Sequence, residues 1–217
     1  MQEQEIEIKT ITRENPKKWF YILGVLLVVL ILVGVAASFS WAVFVKRSDS
    51  QVVRSISNIL PVPAAKLGDE SILYSEFLKT RDTLAIFLES EAANEQQLAE
   101  EMNVDLEKNV LEKLLNEAAL DELAEEKGIE VSEEDLRSFF ADVVTAASTT
   151  TPDVGLYLLE SFGWSEEDFR QNVLRPAILE QQLSIALAGE SQGDPNALGA
   201  YLIERLERND VVRYLRF

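Results

Sequence analysis

Residues Trp19 to Val45 form a run of 27 without one charged side chain, and no other feature restricts the chain as strongly. A helix rising about 1.5 Å per residue crosses a hydrocarbon core of roughly 30 Å in about 20 residues, so the run is long enough to span a bilayer with some tilt. Trp19, Phe20 and Tyr21 at one end and Trp41 and Phe44 at the other are placed like interfacial aromatic belts. A cleavable signal peptide is the rival reading, because Ser38-Phe39-Ser40 offers small residues at a suitable spacing. Its apolar region would normally be about 7–15 residues, far shorter than this one. The run is therefore expected to be retained as a single transmembrane helix, in contact with lipid over Trp19–Val45.

Charge divides the chain on either side of that run. Lys9, Arg13, Lys17 and Lys18 balance Glu3, Glu5, Glu7 and Glu14, so the net charge of −18 belongs to the part after Val45. Such an acidic part repels nucleic-acid phosphate and anionic headgroups, and no nucleic-acid partner is expected. Four cations precede the run and three (Lys46, Arg47, Arg54) follow it closely, a bias that only slightly favours a cytoplasmic amino-terminal side.

The chain has no histidine and no cysteine. That removes the usual general base near neutral pH, thiol nucleophiles, disulfides and the ligands of ordinary zinc sites. Paired acids such as Glu125-Glu126, Glu133-Glu134 and Glu166-Glu167 point in different directions on a helix, and two of the pairs sit where a first turn favours negative charge. No catalytic residue, metal site or cofactor is expected.

Four segments follow: a disordered tail over 1–18, the transmembrane helix over 19–45, a juxtamembrane linker over 46–63, and a helical domain over 64–217. In the linker a short amphipathic piece (Val52, Val53, Ile56, Ile59, Leu60) leads into Pro61-Val62-Pro63, a stiff connector. Ala65 to Tyr74 reads as two strands around Gly68-Asp69, with glycine at the first position of a type II′ turn. Ser75 opens a helix to about Ser90. Asp105 to Lys127 carries two i+4 ridges, Leu106-Val110-Leu114-Ala118 and Leu111-Leu115-Ala119-Leu123, and Gly128 stops it. Ser132-Glu133-Glu134-Asp135 and Ser165-Glu166-Glu167-Asp168 both read as capping boxes. They lie 33 residues apart, but nothing else recurs at that period, so a repeat architecture is not expected.

The first box opens a helix with Leu136, Phe139, Phe140, Val143 and Ala147 facing inward, and Ser148 to Pro152 interrupts the pattern. A short helix with Val154, Leu158 and Phe162 then ends at Gly163, and the second box opens a long one to about Ala188, in which Pro176 should produce a kink. A last helix over Ala197 to Arg208 precedes an extended stretch, Val211 to Phe217. A lone hairpin is marginally stable, so that stretch is expected to pair with it. The fold class is mainly α with a small antiparallel element, hairpin 65–74 plus strand 211–217.

This order of pieces, with Ser-Glu-Phe after the hairpin, Gly-Ile-x-Val-Ser-x-x-x-Leu from Gly128 and Gly-Trp-Ser-Glu-Glu-Asp-Phe-Arg from Gly163, resembles the SurA-type amino-terminal chaperone domain over most of residues 64–217. The resemblance implies an exposed apolar groove for extended, non-native segments of exported polypeptides, working without ATP. Phe87, Phe139, Phe140, Tyr157, Phe162 and Trp164 are its candidate peptide contacts, although aromatics at helical spacing also build cores. Members often carry Asn-Gly in the hairpin where this chain has Gly68-Asp69. They also usually carry a parvulin-type prolyl isomerase domain before the closing helix, where this chain has only Ala188 to Asn196, so isomerase activity is not expected. The alternative reading is an anchored assembly subunit that binds one folded partner. Since domains of this type meet their clients after export, the resemblance places the acidic domain outside the cytoplasm.

Overall fold

The computed structural model describes residues 16–89, 105–147, 153–191 and 193–217. Most of the expected tail, the far end of the helix from Ser75 at Ser90, and the break at Ser148 to Pro152 lie outside the described residues. The elements in chain order are α1 (Pro16–Phe44), α2 (Gln51–Ile59), β1 (Pro63–Leu67), β2 (Glu70–Leu73), α3 (Tyr74–Glu89), α4 (Leu106–Lys127), α5 (Glu133–Ala147) and α6 (Val154–Phe162). After these come α7 (Glu166–Phe169), a π turn (Arg170–Leu174), α8 (Arg175–Glu190), α9 (Ala197–Leu206) and β3 (Val211–Arg213).

Helix α1 is 29 residues long and takes in all of the apolar run except Val45, about 43 Å at 1.5 Å per residue. Side chains are described along it from Val29 with the exception of Leu32, and among the described residues no helix is long and apolar enough to cross a membrane. The carboxyl end of α1 differs from the expected span to Val45. Val43 is fully buried in the same core as the strands, with Phe39, Ala42 and Phe44 packed around it. The Phe44 ring lies 6.1 Å from that of Tyr214, so Phe44 is a core contact and not part of an interfacial belt. Trp41 stays half exposed beneath the Lys46 ammonium, 4.7 Å from its ring centre.

Residues 46–63 are packed as well. Arg47 takes a left-handed φ of 50° that turns the chain back after α1. Its guanidinium pairs with Glu107 at 3.1 Å and sits 5.1 Å over the ring of Phe217. Ser50 caps α2, whose Val53 and Ser57 are buried while Val52 and Ile59 face outward. Asp49 then meets Arg81 at 3.0 Å, and Arg54 meets Asp82 at 2.6 Å, tying the segment to α3.

The three strands form one antiparallel sheet in the order β2-β1-β3. Gly68 has φ 58°, whereas Asp69 is not among the residues with positive φ, the combination a type II′ turn requires. Leu67 pairs with Glu70 across that turn and with Val211 on its other side. The closing strand thus protects the hairpin edge as expected, but over Val211–Arg213 alone. Ala64, at a bulge in the pairing with β2, and Ala65 are both fully buried, and their small side chains let α4 approach β1 closely.

Helix α4 is the axis of the domain, packing against α3, α8, α9, β1 and β2. Val110, Leu111, Leu114, Leu115, Ala118, Ala119 and Leu123 are all buried, so both expected ridges face inward. Gly128 at φ 64° closes the helix in a left-handed cap. Both Ser-Glu-Glu-Asp boxes form: Ser132 and Ser165 each accept from the amide of the aspartate three residues on, and each aspartate accepts from the serine amide. The long helix after Ser165 accommodates Pro176 through the π turn just before it, and Pro176 enters α8 in its first turn, where its missing N–H costs little. The expected kink takes that form. Only residues 191–196 separate α8 from α9.

The Tyr74 ring is fully buried and stacks 5.7 Å from Phe77, and its hydroxyl donates to the Ser48 carbonyl at 3.1 Å. Burial pushes the Tyr74 phenol up to about 12. The unfolded phenol ionises near 10, so this contribution to stability is complete below pH 10 and is lost as pH rises from 10 toward 12. A pH series of denaturant midpoints is expected to fall in that window, and the fall is expected to shrink in Tyr74→Phe.

Candidate functional site

Helix α3 builds one wall of a recess of about 870 Å³ between α2, α3, α4, the end of α6 and the start of the helix after it. Leu78, Leu84, Ile86 and Phe87 supply its apolar surface from α3, and Phe162 and Trp164 face them from across the recess. Phe87, Phe162 and Trp164 form a continuous stack: the first two rings are 5.0 Å apart and nearly parallel, and the second pair is 5.1 Å apart with 14° between the planes. Gly163 makes this possible. Its φ of 67°, a conformation that other residues rarely adopt, reverses the chain between two stacked rings. Trp164 is held in place by its indole N–H, which donates to the Thr83 hydroxyl at 3.1 Å.

The expected contact residues divide into three groups. Phe87, Phe162 and Trp164 line the cavity. Tyr157 packs edge-on to Phe162 at 6.2 Å, and Phe140 meets Phe169, which itself lies 6.5 Å from Trp164, so both support the stack from behind. Phe139 is apart from them. It borders a shallow recess with Ile178 and Ile185 on the far side of α5, because Leu136, Phe140 and Val143 take the inward face of that helix. Phe139 was expected to face inward; it is 39% exposed. Thr83 and Ile86 are residues that spacing alone does not single out. The signal lies in their phase on α3, one turn and one residue before Phe87.

The other end of the recess is acidic. Glu76 and Glu117 line it, and a smaller recess of about 150 Å³ carries Glu76, Glu117, Leu114 and Asn172 onward to Glu70 and Asp121. Burial raises the Glu76 carboxyl above the ordinary range, with the Glu117 charge adding to it. Burial likewise raises Glu70, helped by Asp121 and Glu76. Asp168 at the opposite lip is held low by the Ser165 hydroxyl, and it receives Lys79 at 3.2 Å. Among the described residues no group of three or more acidic side chains is arranged to hold a metal ion.

The SurA-like N-terminal domain family matches residues 10–184, which takes in α1 through most of α8 and therefore every wall of the recess. The chain belongs to the SurA-like N-terminal domain family. No curated protein and no solved structure matches it. The family match stops before α9 and β3, yet Leu198 and Leu202 of α9 close the core over α4, and β3 completes the sheet. In this SurA-like domain the closing helix and strand are thus integral to the packing. Membership carries a chaperone-type role at most.

Proposed function

We propose that the chain is a membrane-anchored, ATP-independent holdase that binds extended, non-native segments of exported polypeptides and has no prolyl isomerase activity. The observation that carries this reading is the stack Phe87–Phe162–Trp164, which presents ring faces to an open recess within a SurA-like domain. Ring faces bind many side chains through dispersion and area burial with little directional demand, which suits a sequence-tolerant client site. Anchoring is supported by the uncharged run Trp19–Val45, its continuous helical course in α1, and a family match that begins at residue 10, ahead of that helix. The absence of isomerase activity is supported by the short connection between α8 and α9. The acidic domain is placed outside the cytoplasm, where unfolded exported chains are met.

A photo-crosslinker at Ile86 or Trp164 in living cells is expected to capture many unfolded exported products. One recurring folded partner would replace the holdase reading by that of an assembly subunit, and no adducts would overturn the site. Protease added to spheroplasts is expected to digest the acidic domain; protection would reverse the topology. In vitro, Phe87→Ala with Trp164→Ala is expected to weaken binding of a reduced, unfolded model protein by about tenfold or more, the scale of losing a central aromatic contact.

A further inference from the structure

We propose that the groove selects extended segments in which an apolar side chain and a lysine or arginine lie four or six residues apart, on the same face of the segment. This inference rests on the holdase reading and names the client chemistry of the same site. Glu76 and Phe87 both line the cavity from α3 and are 11 residues apart. Eleven residues at about 100° each return to within about 20° of the same direction, so the two side chains share one face of the helix. They are separated by about 16 Å along it. A client in extended conformation advances about 3.3 Å per residue and alternates its side chains between two faces, so with one side chain on the aromatic stack the same-face positions four and six residues away, at about 13 and 20 Å, are those that bring a long cationic side chain beside Glu76.

The charges around the recess favour a cation at that second position. Arg54 is engaged by Asp82 at 2.6 Å, Lys79 by Asp168 at 3.2 Å, Arg175 by Asp121 at 2.7 Å, and Lys113 by Glu117. Glu70 and Glu76 have no ion-pair partner among the described residues, and both border the recess that continues the groove. Lys113 and Arg175 act on Glu76 and Glu70 only from a distance, so a client ammonium or guanidinium adds a direct counter-charge, whereas a client carboxylate meets repulsion from both. The net charge of −18 acts in the same direction at longer range.

The test uses the 217-residue chain in lipid nanodiscs and a set of labelled decapeptides, read by fluorescence anisotropy. Each peptide carries one phenylalanine in a Ser/Gly background with Lys, Gln or Glu four or six residues away. The Lys peptide is expected to bind about three- to fivefold more tightly than the Gln peptide, the scale of a partly exposed ion pair, and the Glu peptide more weakly than both. Moving Lys to two residues from Phe is expected to remove the advantage. In the double variant Glu70→Gln, Glu76→Gln, with an unchanged circular dichroism spectrum, the ratio of Lys-peptide to Gln-peptide affinity is expected to fall to about one. Equal binding of all three peptides, or a Lys preference that survives the double variant, overturns the inference and leaves the holdase reading standing. Failure of every peptide to bind overturns both.

Discussion

Replacing Phe77 by alanine is expected to destabilise the domain by about 3–5 kcal/mol, the range for truncating a fully buried phenylalanine. Phe77 has no exposed surface and lies in the largest core cluster, stacked on Tyr74 and grouped with Leu111, Leu115, Ala65 and Val43. Those neighbours come from α1, β1, α3 and α4, so the cavity cannot be filled by the shift of one element. Against a total stability of about 5–15 kcal/mol for a domain of ordinary size, the loss is a large fraction. Urea denaturation followed by circular dichroism should show a lower midpoint with an unchanged slope. Phe77→Leu, which keeps most of the volume, is expected to cost roughly 1.5 kcal/mol or less. Equal losses for the two variants would contradict the packing described.

Arg205→Met is expected to cost about 1.5–3 kcal/mol, the range for disrupting charged hydrogen bonds at a buried position. Only 2% of Arg205 is exposed, although it lies on the last helix. Its guanidinium donates to both oxygens of Glu122 on α4, at 3.0 and 2.7 Å, and to Asp210 at 3.1 Å. It also sits against the hairpin turn, where a Cβ on Gly68 would be 3.2 Å from Nη2. One planar group thus joins α4, α9, the strand that follows and the turn of β1-β2. Glu122 and Asp210 keep part of their exposure and can rehydrate once the cation is gone, which is why the loss falls below that of a fully enclosed pair. Arg205→Lys is expected to recover less than half of it, because an ammonium cannot serve both carboxylates in one plane. The readout is again the urea midpoint, and full recovery by lysine would show that charge alone is needed.

What the sequence discloses about this fold follows the range of each interaction. The caps at Ser132 and Ser165 and the stops at Gly128 and Gly163 depend on neighbours within a few residues, and each forms where the local pattern places it. The ridges of α4 are similarly periodic, and the pairing of β3 follows from the instability of an unprotected hairpin. The end of α1 was not legible. Val43 and Phe44 are as apolar as the residues before them, and hydropathy does not separate a side chain facing lipid from one facing a protein core. Arg205 was hidden for the opposite reason, since a lone arginine among acids reads as a surface residue until Glu122, 83 positions away, is brought beside it. The aromatic types single out Phe87, Phe162 and Trp164, which the structure places around one recess. The Thr83 hydroxyl that orients Trp164 is 81 residues distant and left no local trace. Phe139 and Phe140 are adjacent, and only the packing of Leu136 and Val143 settles which ring turns inward.

The burial of Val43 beside the sheet also bears on mechanics. A domain joined to its helix by a flexible linker samples a hemisphere, and its reach grows with the square root of linker length. Here the last turns of α1 are part of the domain's own core, and Arg47, Asp49 and Arg54 fasten the following segment to α4 and α3. Helix and domain therefore move as a bracket. On the anchored holdase reading proposed above, whatever sets the tilt of α1 also aims the mouth of the recess and with it the direction from which a client enters.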